Sequence, residues 1–137
     1  MKTENTPKYR KNVLIVDDDA EFIKIISHWM LFRGWEIATA SDGAEAFGLM
    51  SAKKFGLILT DYNMPEMDGL ALAEKIKNVC PVIPVILVTG IGSEIIEKEK
   101  RIGCIDHVLY KPFSFKELDR IINLCALEGD AGQKAKS

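Results

Sequence analysis

Three adjacent carboxylates, Asp17, Asp18 and Asp19, follow the apolar run Val13-Leu14-Ile15-Val16, so like charges crowd at the end of a segment that reads as a buried strand. Crowded carboxylates repel one another and hold protons more tightly unless a cation or hydrogen-bond donors relieve them. A divalent metal is the first partner this arrangement suggests. The plainer reading of an acidic triplet is a solvated loop, and Asp19 suits the opening of a helix. Other strand-like runs change the balance. Asp61 follows Leu57-Ile58-Leu59-Thr60, Thr89 and Gly90 follow Val85-Ile86-Leu87-Val88, and Lys111 comes just after Ile105 to Leu109.

If these runs are parallel strands of one sheet, their carboxyl ends lie along one edge, where residues distant in sequence converge. Magnesium takes hard oxygen ligands in an octahedron and keeps several waters. Asp18, Asp61 and the carbonyl of Asn63 are the candidate ligands, with Asp17 positioning a metal-bound water. A carboxylate held beside a cation can attack a phosphoryl group and form an acyl phosphate, the role open to Asp61. Phosphoryl transfer relies on positioning and charge stabilisation, which Mg²⁺, Lys111 and the Thr89 hydroxyl would supply. Gly90 would leave room beside the phosphoryl group.

The elements that must position these residues alternate five times. Strand-like runs are Val13 to Val16, Trp35 to Ala40, Phe55 to Thr60, Val82 to Val88 and Ile105 to Leu109. Three contain continuously apolar segments, the pattern of central parallel strands buried on both faces. Between them, Phe22, Ile25, Ile26, Trp29 and Met30 form one apolar helical stripe that ends at Gly34, with Lys24 and His28 opposite. A second helix opens at Ser41-Asp42-Gly43 with Glu45 as capping partner and Ala46, Phe47 and Met50 inward. A third runs from Gly69 to Val79, with Ala73, Ile76 and Cys80 inward. A fourth covers about 94–102 and exposes Glu97-Lys98-Glu99-Lys100, a solvated face or partner surface. The fifth starts at Ser114, boxed by Glu117, and places Phe115, Leu118, Ile121, Ile122 and Cys125 on one face. The expected architecture is α/β, a doubly wound parallel sheet covered by five helices.

At 137 residues, 47% hydrophobic and 28% charged, the chain reads as one domain with a substantial core. The expected organisation is a polar leader at 1–11, the domain at 12–127 and a disordered tail at 128–137. A net charge of -2 without a long basic run argues against nucleic acid as a partner of this chain. The three cysteines, Cys80, Cys104 and Cys125, are odd in number, far apart and in apolar surroundings, as core thiols of a reducing compartment are. The leader lacks a signal-peptide core, and no apolar run approaches membrane-spanning length. A cytoplasmic protein without a membrane partner is expected. His28 and His107 lack paired ligand spacing and read as surface or structural residues, and Trp29 and Trp35 as packing residues.

The segments Leu14-Ile15-Val16-Asp17-Asp18-Asp19, Leu59-Thr60-Asp61-Tyr62-Asn63-Met64-Pro65-Glu66-Met67-Asp68-Gly69, Val85-Ile86-Leu87-Val88-Thr89-Gly90 and Lys111-Pro112-Phe113 resemble the receiver domain of two-component response regulators. The resemblance spans about Asn12 to Leu127. It implies a flavodoxin-like five-stranded sheet in the order 2-1-3-4-5, Asp61 as phosphoacceptor, and Asp17 and Asp18 serving Mg²⁺. It further implies a phosphohistidine on a sensor histidine kinase or phosphotransfer protein as donor, slow self-catalysed hydrolysis, and a cis Lys111-Pro112 bond. Output would pass through a switched protein-interaction surface to a downstream protein. The molecule would be a monomer or a phosphorylation-dependent dimer, and either a stand-alone receiver or part of a larger regulator.

The chain departs from the family's pattern at one switch position. The family commonly carries Tyr or Phe three residues before the lysine, and this chain has Val108, with His107 and Tyr110 nearby. Ile91, two residues after Thr89, is apolar where many relatives are polar, so restricted water and a prolonged phosphorylated state are expected. Two enzyme-like or cofactor-binding readings compete. A haloacid-dehalogenase-type phosphohydrolase would carry Asp-x-Asp followed by Thr or Val, whereas Ala20 and Glu21 follow here. A flavodoxin would cradle phosphate with a Ser/Thr-rich loop, where three aspartates would repel it. A pseudo-receiver is disfavoured because the acidic pair, acceptor, hydroxyl and lysine are all present.

Overall fold

The computed structural model describes residues 11–90 and 103–136, with side chains described as far as Cys125. The elements in chain order are β1 (Asn12–Val16), α1 (Ala20–Phe32), β2 (Glu36–Ala40), α2 (Gly43–Ala52), β3 (Leu57–Asp61), α3 (Gly69–Val79), β4 (Val85–Thr89), β5 (His107–Tyr110) and α4 (Phe115–Lys136). All five strands are parallel in the order β2-β1-β3-β4-β5, as expected. The expected helix at 94–102, with its charged face, and Ile91 lie outside the described residues.

Alternation of side chains along the central strands explains why their interior positions are apolar. On one face Val13, Ile15, Leu57, Leu59, Ile86 and Val88 pack with Ile26 and Met30 of α1 and Leu118, Ile121, Ile122 and Cys125 of α4. On the other, Leu14, Val16, Ile58 and Val85 pack with Ala46 of α2 and Leu72, Ala73 and Ile76 of α3. Successive residues of a strand point to opposite faces, so a sheet covered on both sides needs an apolar residue at every position. β1, β3 and β4 are accordingly buried along their whole length.

Carboxylates and a hydroxyl start the helices. Asp19, Asp42 and Asp68 each accept hydrogen bonds from first-turn amides of α1, α2 and α3, and Ser114 Oγ accepts from the Glu117 amide. The box at α2 closes one residue earlier than expected, because the Glu45 carboxylate accepts from the amide and hydroxyl of Ser41. α1 stops at Gly34, which has φ +91, while the amides of Gly34 and Trp35 bond back to Leu31 and Met30.

One expectation needs correction. Ile25 belongs to the apolar stripe of α1 by spacing, yet it is 56% exposed and Ile23 packs instead. Each residue advances about 100° around a helix, which carries Ile25 off the flank of a face centred near Ile26 and Met30. The stretch 128–136 continues α4 to Lys136. Its composition looks tail-like, but Ala, Glu, Gln and Lys are strong helix formers and extend a helix already nucleated on the core. No described helix is long and apolar enough to cross a membrane.

Candidate functional site

Each residue of the site sits at or just beyond the carboxyl end of a strand. Asp17 follows β1 and is tied by its amide to the Ala40 carbonyl at the end of β2. Asp61 ends β3, Thr89 ends β4, and Lys111 follows β5 with its amide donating to the Thr89 carbonyl at 2.8 Å. The register pairs Asp61 with Val88 and Thr89 with Tyr110, so the strand ends are level and the site forms along one edge.

Asp17, Asp18 and Asp61 each present a carboxylate oxygen within 4.8 Å of the others. Among the described residues this is the one group of three or more His, Cys, Asp or Glu side chains close enough to share a metal ion. Asp17 is 1% exposed and Asp61 9%, whereas Asp18 faces solvent. The Asp19 amide donates to Asp17 Oδ1 at 2.9 Å, so the residue that caps α1 also orients the first carboxylate. Lys111 Nζ lies 3.4 Å from Asp17 Oδ2 and 3.6 Å from Asp61 Oδ1.

The lysine does not neutralise the cluster. Burial pushes the Asp61 carboxyl up from 3.8 to about 6, reinforced by Asp17 and Asp18 and opposed by Lys111. Burial also raises Asp17, against the Asp19 amide and Lys111. Hard, anionic and under-compensated oxygen donors fit a divalent cation, whose charge favours the ionised state that burial disfavours. Asn63, expected to lend its carbonyl, is exposed in the loop directly after Asp61.

Thr89 is buried at 1% exposure, and a Cβ added at Gly90 would meet nothing within 4 Å among the described residues. The Lys111-Pro112 bond is cis, as the resemblance implied. Val108 occupies the usual aromatic switch position and packs, half-buried, against Leu70 and Leu87 together with Tyr62 and Ile105. Tyr110 is 39% exposed. His28 is exposed and His107 half-buried, and neither joins the acidic group.

Two residues beside the site were not singled out by spacing. Gly69 was read only as a helix start, but a Cβ there would lie 2.2 Å from the Asp61 carbonyl oxygen. Its amide donates to the Tyr62 carbonyl at 2.8 Å, closing the loop that leaves Asp61. Within that loop Glu66 has φ +70, and the Met67 amide reaches the Pro65 carbonyl at 2.7 Å. Phe22 was read as part of the core stripe, yet Lys111 Nζ sits 4.3 Å from the centre of its ring.

Residues 13–123 match the family model of the response regulator receiver domain, and the chain belongs to that family, the phosphoacceptor signalling module of two-component systems. It is 34% identical over 114 residues to the transcriptional regulatory protein ZraR of Salmonella typhimurium, a match covering 81% of this chain and 25% of that protein. The chain thus spans about a quarter of that relative's length. Its fold matches a receiver domain protein from Methanospirillum hungatei with a TM-score of 0.83 at 28% identity, covering 90% of this chain and 98% of the other. It also matches the response regulator TrrA of Thermotoga maritima, solved in complex with Mg²⁺ and BeF, with a TM-score of 0.77 at 25% identity, covering 83% and 97%.

Proposed function

We propose that this receiver takes a phosphoryl group on Asp61 from a phosphohistidine of a sensor histidine kinase or phosphotransfer protein. The observation that carries the reading is the meeting of three carboxylates with Lys111, from residues 94 positions apart, at the level ends of three strands. In the transfer a carboxylate oxygen of Asp61 bonds to phosphorus while the donor's P–N bond breaks and its electron pair leaves with the imidazole. The attacking oxygen must be deprotonated, and Lys111 supports that state. Its ammonium and the Thr89 hydroxyl then donate to phosphoryl oxygens.

Asp18, Asp61 and the Asn63 carbonyl would hold Mg²⁺, with Asp17 orienting a metal-bound water. The bound ion supplies charge neutralisation for the carboxylates and the phosphoryl oxygens. The Mg²⁺-BeF complex of TrrA supports this choice of ion. Water then releases phosphate slowly from Asp61, and the phosphorylated state alters affinity for a downstream protein, as a monomer or a dimer. A cytoplasmic setting suits the three free cysteines.

The test is intact mass of the wild type and Asp61→Asn after incubation with Mg²⁺ and acetyl phosphate. One added phosphoryl group on the wild type and none on the variant is expected. An unmodified wild type, with a phosphorylated phosphotransfer protein also tried, would overturn the reading.

A further inference from the structure

Lys111 is held loosely by the carboxylates it faces. Its contacts of 3.4 Å to Asp17 and 3.6 Å to Asp61 are longer than charge-assisted hydrogen bonds between ammonium and carboxylate, which fall near 2.7–2.9 Å. A further contact among the described residues is aromatic, with Nζ 4.3 Å from the centre of the Phe22 ring. An ammonium at this distance is attracted by the negative face of the ring. The ring is fixed in turn, because Phe113 meets it edge-on with centroids 6.1 Å apart and an interplanar angle of 82°. Both rings also pack against the core shared by α1 and α4. Residues 111 and 113, on either side of Pro112, therefore both close on Phe22, one through charge and the other through its ring edge.

We infer that Phe22 is a positioning residue for Lys111, which keeps the ammonium over the site when the carboxylates give up their charge to other partners. This rests on the phosphoacceptor reading above. Once a cation or a phosphoryl group shares the charge of Asp61 and Asp17, their attraction for Lys111 falls. The ring takes no part in that exchange, so its hold persists through the transfer. The role needs a quadrupole rather than bulk, which separates it from ordinary core packing. Leucine would fill much of the same space with no attraction for the ammonium, and tyrosine would retain it.

The experiment compares wild type, Phe22→Leu and Phe22→Tyr, each with Lys111 and with Lys111→Met, in the full 137-residue chain. The rate of Asp61 phosphorylation by acetyl phosphate is followed at saturating Mg²⁺. In that reaction an Asp61 oxygen bonds to phosphorus, the donor's P–O bond breaks, and acetate departs with the pair. Phe22→Leu is expected to slow the step roughly three- to tenfold, the rate equivalent of a partly desolvated cation–π contact. Phe22→Tyr should restore it, and Phe22→Leu should have no further effect beside Lys111→Met. An unchanged rate, or equal slowing in both lysine backgrounds, would overturn the inference and leave Phe22 a core residue.

A second readout is independent of phosphorylation. The Lys111 ε-methylene proton resonances, assigned by their loss in Lys111→Arg, should lie upfield under the ring and move downfield in Phe22→Leu. Absence of that shift overturns the inference. If the shift is present and the wild type accepts no phosphoryl group, Phe22 holds the lysine as stated and the phosphoacceptor reading fails instead.

Discussion

On the proposed transfer Asp61 combines two demands that oppose each other, since it would have to be ionised to attack phosphorus while it is buried. Its carboxyl, raised from 3.8 to about 6, binds a proton in the folded state over a range where the unfolded chain has already released it. The resulting stability is full below the unfolded value and is lost as pH rises through about 6. In EDTA, unfolding by urea should show the protein about 1 kcal/mol more stable near pH 5 than near pH 7.5 on account of this residue. Asp17 is shifted in the same direction and adds to the trend. Saturating Mg²⁺ should flatten or reverse the difference, and Asp61→Asn should raise metal-free stability near pH 7.5 by up to about 3 kcal/mol. A metal-free protein that is less stable near pH 5 would contradict the origin assigned to the shift. The acidic residues were legible in the sequence because each abuts a continuous apolar run. Phe22 was not, because its place in a helical stripe reads as core and its second contact belongs to a residue 89 positions later (111 − 22).

At the scale of elements, strand interiors and helix caps were legible, and the loop chemistry between them was not. Asp19, Asp42 and Ser114 signal helix starts through side chains that accept first-turn amides, and Asp68, not singled out in the sequence, does the same for α3. The face of α1 was harder to read, because Ile25 and Ile26 have the same chemistry and only the direction of packing separates them. Gly69 shows why the turn after β3 escaped detection. The constraint is a backbone oxygen from another element, which no periodicity records. Gly69→Ala would set a methyl carbon 2.2 Å from the Asp61 carbonyl oxygen, so β3 or α3 must shift. A loss of about 3 kcal/mol is expected by denaturant titration, with slower phosphorylation because the displaced group is the backbone of the proposed acceptor. Wild-type stability in this variant would show that α3 moves aside freely.

For the molecule as a whole, the sheet order puts the acidic cluster on interior strands and the lysine on an edge. β1 and β3 are flanked on both sides, while β5 pairs only with β4. Edge elements generally open more readily than interior ones. Native-state hydrogen exchange should therefore find the β5 amides, and the Lys111 amide bonded to Thr89, opening at lower free energy than those of β1 and β3. Equal protection across the sheet would count against this ordering. The order 2-1-3-4-5 came from the family resemblance, since strand runs alone indicate a parallel sheet without fixing which neighbours meet.

The contact between Lys111 and Asp17 spans 94 positions and is made only when the edge strand is in place. During synthesis the acidic residues emerge and can gather before their lysine has been made. On the proposed mechanism, a partly finished or partly opened chain keeps the acidic cluster but lacks the lysine that phosphoryl transfer needs. On that reading, competence to receive a phosphoryl group serves as a completeness check, passed only when the last strand has docked beside its neighbours.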